Sequence, residues 1–122
     1  MTTPPRVLIV DDQEEVLRTL GALVASGGYD VVTCGRFDEA KKFIDTTPPD
    51  VLITDVRLGA FNGLQLVLHM RAVHPAGPVV VLSAFDDAVI RQETENAGAI
   101  FLPKPVTRKG LLEAIVSGET QR

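Results

Sequence analysis

Short, unbroken apolar runs alternate along the chain with segments whose apolar residues recur every three or four positions. The runs occupy residues 7–10, 31–33, 51–53, 79–82 and 99–102. Most are continuous rather than alternating apolar and polar, the pattern of parallel strands covered by helices on both faces. Val16, Leu17, Leu20, Leu23 and Val24 make a helical stripe that Gly27-Gly28 stops. Ala40, Phe43 and Ile44 mark a second helix ended by Pro48-Pro49. Leu64, Val67, Leu68 and Arg71 mark a third, closed before Pro75, and Leu111, Leu112, Ile115 and Val116 mark the last. The helix over 86–97 has only Val89, Ile90 and Ala97 to bury, so it is expected to be loosely held, as suits an element that moves.

Five runs and five helices in strict alternation predict a (βα)₅ chain with right-handed crossovers and an all-parallel sheet. The expected architecture is a flavodoxin-like three-layer α/β sandwich with strand order 2-1-3-4-5. One domain is predicted over 1–122, with its core at about 6–116 and a polar tail, or the start of a linker, at 117–122.

Composition narrows the function. A 45% apolar and 23% charged chain is ordinary for a globular domain, and a net charge of −4 argues against a basic nucleic-acid footprint. The apolar runs are far shorter than the roughly 20 residues of a membrane span, and residues 1–6 carry no apolar signal region. Cys34 stands alone, so it has no internal disulfide partner and reads as a small, partly buried hydrophobe. The expected location is cytoplasmic.

Open α/β sheets bind ligands outside the carboxyl ends of their strands, where the strand order reverses. The residues falling on that rim are Asp11-Asp12 after the first run, Asp55 after the third, Ser83 after the fourth and Lys104 after the fifth. Three carboxylates in one crevice repel each other unless a positive charge arrives. A hard divalent cation is the natural partner: Mg²⁺ takes oxygen ligands and is typically held by one or two carboxylates plus phosphate oxygen, and Mn²⁺ can substitute. With no His or Cys beside these aspartates, zinc and copper are disfavoured. One carboxylate is left free as a nucleophile toward phosphorus. Phosphoryl transfer then needs positioning and positive charge, which the metal and Lys104 would supply while Ser83 donates a hydrogen bond.

Asp11-Asp12, Asp55, Ser83, Phe101 and Lys104-Pro105 together resemble the receiver domains of bacterial two-component response regulators, over nearly the whole chain. The resemblance implies that Asp55 is the phosphoacceptor, that Asp11 and Asp12 serve the Mg²⁺ site, and that the Arg57 backbone carbonyl is a further metal ligand. It implies that Lys104 meets the phosphoryl group, that the Lys104–Pro105 bond is cis, and that Gly63 opens the third helix. Phe101 would be a switch aromatic that turns inward as Ser83 moves toward the phosphoryl group. Arg57 and Phe85 occupy places that tune the lifetime of the acyl phosphate, with Phe85 screening it from water, and Ala84 is small enough to leave Asp55 open. The donor would be a histidine kinase or phosphotransfer protein, or a small phosphodonor such as acetyl phosphate. The message would leave through the face over 86–116, toward an output partner or a second copy. The chain departs from the family's frequent Met-Pro in having Leu58-Gly59, which is expected to loosen that loop.

Each residue also has a plainer reading. Asp12 with Glu15 resembles a capping box for the first helix, Ser83 could cap the helix near Asp86, and Asp55 and Lys104-Pro105 could be turn residues. Phe101 could be ordinary core, and His69 and His74 read as surface residues. A dehalogenase-type phosphatase would have Asp-x-Asp and a cap domain, and a flavodoxin-type carrier a Ser/Thr-rich phosphate loop after the first run. Neither feature is in the sequence. A receiver that works as a phosphorylation-independent interaction module is the remaining alternative.

Overall fold

The computed structural model describes residues 3–120. In chain order the first half runs β1 (Arg6–Val10), α1 (Glu14–Ala25), β2 (Asp30–Cys34), α2 (Phe37–Thr46) and β3 (Val51–Asp55). It continues through β4 (Arg57–Leu58), β5 (Phe61–Asn62), α3 (Gly63–Val73), β6 (Val79–Ser83), α4 (Ala88–Asn96), β7 (Ile100–Pro103) and α5 (Arg108–Thr120). Five strands form one parallel sheet in the order β2-β1-β3-β6-β7. This is the predicted flavodoxin-like order, renumbered for the small antiparallel ribbon β4-β5 that the apolar pattern did not announce.

The unbroken apolar runs are explained by a core on each side of the sheet. Leu8, Val10, Leu52, Val79 and Val81 face α2, α3 and α4, while Val7, Ile9, Ile53, Val80 and Leu82 face α1 and α5. A strand with helices on both faces alternates direction without alternating polarity. Fully burying each such side chain contributes roughly 1.5–3 kcal/mol. Among the described residues no helix is long and apolar enough to cross a membrane.

Several local expectations are corrected. In α3 the buried positions are Leu64, Leu66, Val67 and Met70, whereas Leu68 is 63% exposed. In α5 the buried set is Leu111, Ala114 and Ile115, with Val116 turned out. The helix continues through Ser117–Gly118, where the buried Gly118 packs against Pro78, so this part of the predicted polar tail is a packed last turn. Residues 121–122 lie outside the described residues. Asp12 caps nothing: the N-cap of α1 is Gln13, without a side-chain bond. Nor does Ser83 cap α4, because Asp87 does, accepting from the Val89 and Ile90 N–H groups. His69, read as a surface residue, is partly buried and pairs with Asp45 across α2 and α3 at 2.6 Å.

Candidate functional site

Backbone hydrogen bonds hold the rim of the sheet together just where the polar residues begin. The Asp11 N–H donates to Cys34 O at 3.2 Å, Val56 N–H to Leu82 O at 3.0 Å and Lys104 N–H to Ser83 O at 2.7 Å. Strand register therefore fixes the origins of all the rim side chains before any of them contacts another. The Asp55 main chain is clamped as well. Gly63 N–H donates to Val56 O, and a Cβ on Gly63 would overlap the Asp55 carbonyl oxygen, so only glycine allows α3 to start this close.

Asp11, Asp12 and Asp55 each offer a carboxylate oxygen, all within 4.8 Å of one another. Asp11 is buried; its Oδ1 accepts from the Gln13 N–H at 2.9 Å and its Oδ2 lies 3.1 Å from Lys104 Nζ. The same ammonium is 3.6 Å from Asp55 Oδ2, while Asp55 Oδ1 accepts from the Val56 N–H at 3.0 Å. Asp12 is exposed and its Oδ2 accepts from the Gly59 N–H at 3.2 Å. Burial pushes the Asp55 carboxyl above its ordinary value. Lys104 opposes that shift, the Asp11 charge reinforces it, and the Val56 hydrogen bond and Asp12 act in opposite senses at smaller size. The charged form of Asp55 thus waits for positive charge beyond what Lys104 alone provides.

The donor set suits a hard cation: three carboxylates, no thiolate and no imidazole. The rim is an acidic pocket with one ammonium on its wall, an arrangement that can take in a divalent ion and a phosphoryl group together.

Comparison with known proteins agrees with the fold. The family model of the response regulator receiver domain matches residues 7–116. The chain belongs to this family. Over 115 residues this receiver domain is 35% identical to the transcriptional regulatory protein GlrR of Escherichia coli (strain K12), covering 92% of the chain and 26% of that relative. It is 29% identical to the transcriptional regulatory protein FixJ of Bradyrhizobium diazoefficiens over 125 residues, covering 99% of the chain and 60% of FixJ. The chain therefore spans between about a quarter and three-fifths of these relatives. Among solved structures, the chemotaxis response regulator CheY4 of Vibrio cholerae superimposes with a TM-score of 0.85 at 25% identity, over 94% of this chain and 98% of that one.

The remaining predicted residues lie in β4, at the end of β6 and in the loop after it, and in and just after β7. The Ser83 side chain is buried and turned to its own loop: the hydroxyl donates to Phe85 O at 2.8 Å and accepts from the Phe85 N–H at 3.1 Å. Ala84 and Phe85 are exposed, and the Arg57 guanidinium stands over the Phe85 ring. The Phe101 ring is already inside, 8% exposed, with the Arg91 guanidinium 4.4 Å from its centroid. The Lys104–Pro105 bond is cis.

Sequence reasoning missed three roles: those of Arg91 beside Phe101, of Gly59 beside Asp12, and of Arg71 before the starts of β6 and β7, at the other end of the strands. Arg91 pairs with Asp86 at 2.8 Å while covering Phe101, and so ties α4 to both the β6–α4 loop and β7. Arg71 donates to the Ala97, Gly98, Pro75 and Gly77 carbonyls, closing the end of α4 onto α3. Gly59 lies in a hairpin turn, not a loosened loop: Leu58 before it is buried and pairs with Phe61. A Gly-X pair between apolar residues is a recognised hairpin signal and would have given that turn away.

Proposed function

We propose that this receiver domain is a Mg²⁺-dependent phosphoacceptor in which Asp55 takes a phosphoryl group from a phosphohistidine. The observation that carries this reading is the position of Lys104 Nζ, 3.1 Å from Asp11 and 3.6 Å from Asp55, on the wall of a pocket formed by three carboxylates. Asp11, Asp12 and Asp55, with the Arg57 backbone carbonyl, would hold the ion, and Mn²⁺ would serve in its place. Once bound, the ion supplies positive charge against the phosphoryl oxygens.

Asp55 is the nucleophile. As a carboxylate oxygen bonds to phosphorus, the phosphorus–nitrogen bond breaks and its electron pair leaves with the imidazole ring. Lys104 can leave Asp55 for the new phosphoryl oxygens while Asp11 keeps its other side. The Ser83 hydroxyl, released from Phe85, donates to one of those oxygens, and Phe101 under Arg91 registers the change at α4. The domain is then a signalling phosphoacceptor that assists its own phosphorylation and hydrolysis rather than a turnover enzyme. The α4-β7-α5 face carries the result to an output partner or a second copy, by biasing a two-state equilibrium.

Receiver domains take their phosphoryl groups from kinases or phosphotransfer proteins. An apolar groove of about 510 Å³ runs from Ala84, Lys104 and Pro105 along Val16, Leu20 and Leu23 of α1. Because one end of the groove is Lys104 itself, a helix seated there would present its phosphohistidine to Asp55. We assign the groove to that donor.

The deciding experiment is incubation with acetyl phosphate and Mg²⁺ followed by intact mass. One phosphoryl adduct is expected on the wild type, none on Asp55→Asn, and none when the ion is chelated. An adduct on both proteins would move the acceptor elsewhere, and no adduct on either would leave an interaction module that works without phosphorylation.

A further inference from the structure

Asp12 differs from Asp11 in being exposed and in having no cation beside it among the ion pairs of the described residues. Left free, its carboxylate would be driven away from Asp11 and Asp55 by like charge. What opposes that repulsion is one hydrogen bond from a residue 47 positions away, the Gly59 N–H at 3.2 Å. We propose that Gly59 is a positioning residue for the metal site, its backbone N–H holding the Asp12 carboxylate turned toward Asp11 and Asp55. This rests on the reading of those three aspartates as metal ligands.

The local structure explains why the N–H is available. Arg57 pairs with Asn62 and Leu58 with Phe61, so Gly59-Ala60 is a two-residue hairpin turn. In such a turn the first central residue makes no ladder bond, and its N–H points away from the hairpin. Gly59 has φ +62°, and nothing lies within 4 Å of where a Cβ would be. Glycine is therefore set by backbone conformation and not by space, the requirement of turns with a left-handed first residue. The buried Leu58 side chain anchors the ribbon to the core, so the donor is held on a fixed support. Proline at this position would remove the donor and impose φ near −65°. Asparagine would keep the N–H and tolerate the conformation.

The test is a Mg²⁺ titration followed by amide NMR, which reads the dissociation constant and checks the fold together. Gly59→Pro is expected to weaken Mg²⁺ binding about three- to tenfold, the range left when a charge-assisted hydrogen bond is discounted for solvent exposure. Gly59→Asn is expected to keep wild-type affinity. In an Asp12→Ala background Gly59→Pro should add nothing, because the tether acts only through that carboxylate. Independently of any Gly59 variant, Asp12→Ala should speed hydrogen exchange of the Gly59 amide. If Asp12→Ala weakens binding but Gly59→Pro does not, the tether is wrong and the metal site stands. If Asp12→Ala leaves affinity unchanged, the metal reading of Asp12 fails and the tether with it. A Gly59→Pro effect that persists without Asp12, or an unchanged Gly59 amide, also overturns the proposal.

Discussion

The Arg57 guanidinium carbon stands 5.1 Å from the centroid of the Phe85 ring. One residue belongs to the ribbon that follows Asp55, the other to the loop that follows Ser83. Their contact spans the two walls of the acidic pocket. A cation–π pair at an exposed site contributes about 0.5–1 kcal/mol, which as a rate is roughly two- to fivefold. Phe85→Ala and Arg57→Ala should each shorten the acyl-phosphate lifetime by about that factor. The double variant should be no faster than the faster single, since either change opens the same roof. The measurement is loss of the phosphoryl adduct after the donor is removed. An unchanged rate in Phe85→Ala would end the idea.

Burial raises the Asp55 carboxyl pKa against the pull of Lys104, so the folded state favours the protonated acid. The sign of the linkage follows. The stabilising contribution is fully present below the ordinary carboxyl value of 3.8 and is lost as pH climbs through the raised value. At neutral pH the ionised carboxylate therefore costs stability, and Asp55→Asn removes that cost. The variant should melt higher than the wild type at pH 7. The two melting curves should converge toward about pH 3, where an aspartate is largely neutral in both states. A variant that melted lower than wild type at pH 7 would contradict the assignment. By the same direction, acetyl phosphate labelling in limiting metal should fall off at a higher pH than an ordinary carboxylate would give.

The Arg71 side chain reaches across the end of α4 and donates to both the Ala97 and Gly98 carbonyls. Burial lowers its pKa, and its partners are carbonyls rather than a carboxylate. Arg71→Ala should destabilise the domain by about 1–3 kcal/mol, from the loss of hydrogen bonds to a charged donor. Lysine should restore only part, because an ammonium cannot fork across four carbonyls. Hydrogen exchange should accelerate first at residues 94–99. Equal acceleration in α5 would mean that Arg71 supports the whole domain and not the seat of α4.

The sheet was legible because runs such as Val79-Val80-Val81-Leu82 can satisfy two helical layers only as a central parallel strand. The acidic rim followed from strand ends alone: Asp11 and Ser83 each sit one step past an apolar run, and Asp55 and Lys104 two. Helix faces were less legible. In α3 nearly every turn offers Leu, Val or Met, so two stripes fit the spacing equally well, and the structure selects the one through Leu66 and Met70 over Leu68. In α4 the fully buried residue is Thr94, whose hydroxyl donates to Ile90 O within its own helix, a polar residue that no apolar count would choose. Arg71 escaped because its partners are carbonyls, which leave no complementary charge in the sequence, and Arg91 because its nearby partner Asp86 gives no sign of the Phe101 ring it also covers.

Thr19 lies on the exposed face of α1 at the edge of the groove that ends at Lys104. Its hydroxyl bonds only the Glu15 carbonyl one turn back, so replacing it disturbs no tertiary contact among the bonds described. Thr19→Arg would place a long charged side chain where a donor helix must lie, without touching Asp55 or the carboxylates around it. Transfer from a phosphohistidine protein should slow by about tenfold, corresponding to roughly 1.4 kcal/mol of lost docking energy. Labelling by acetyl phosphate should keep its wild-type rate, because a small donor needs the pocket and not the groove. Parallel loss of both rates would show that the substitution damages the acceptor site, and no loss of either would move donor docking to another face of the domain.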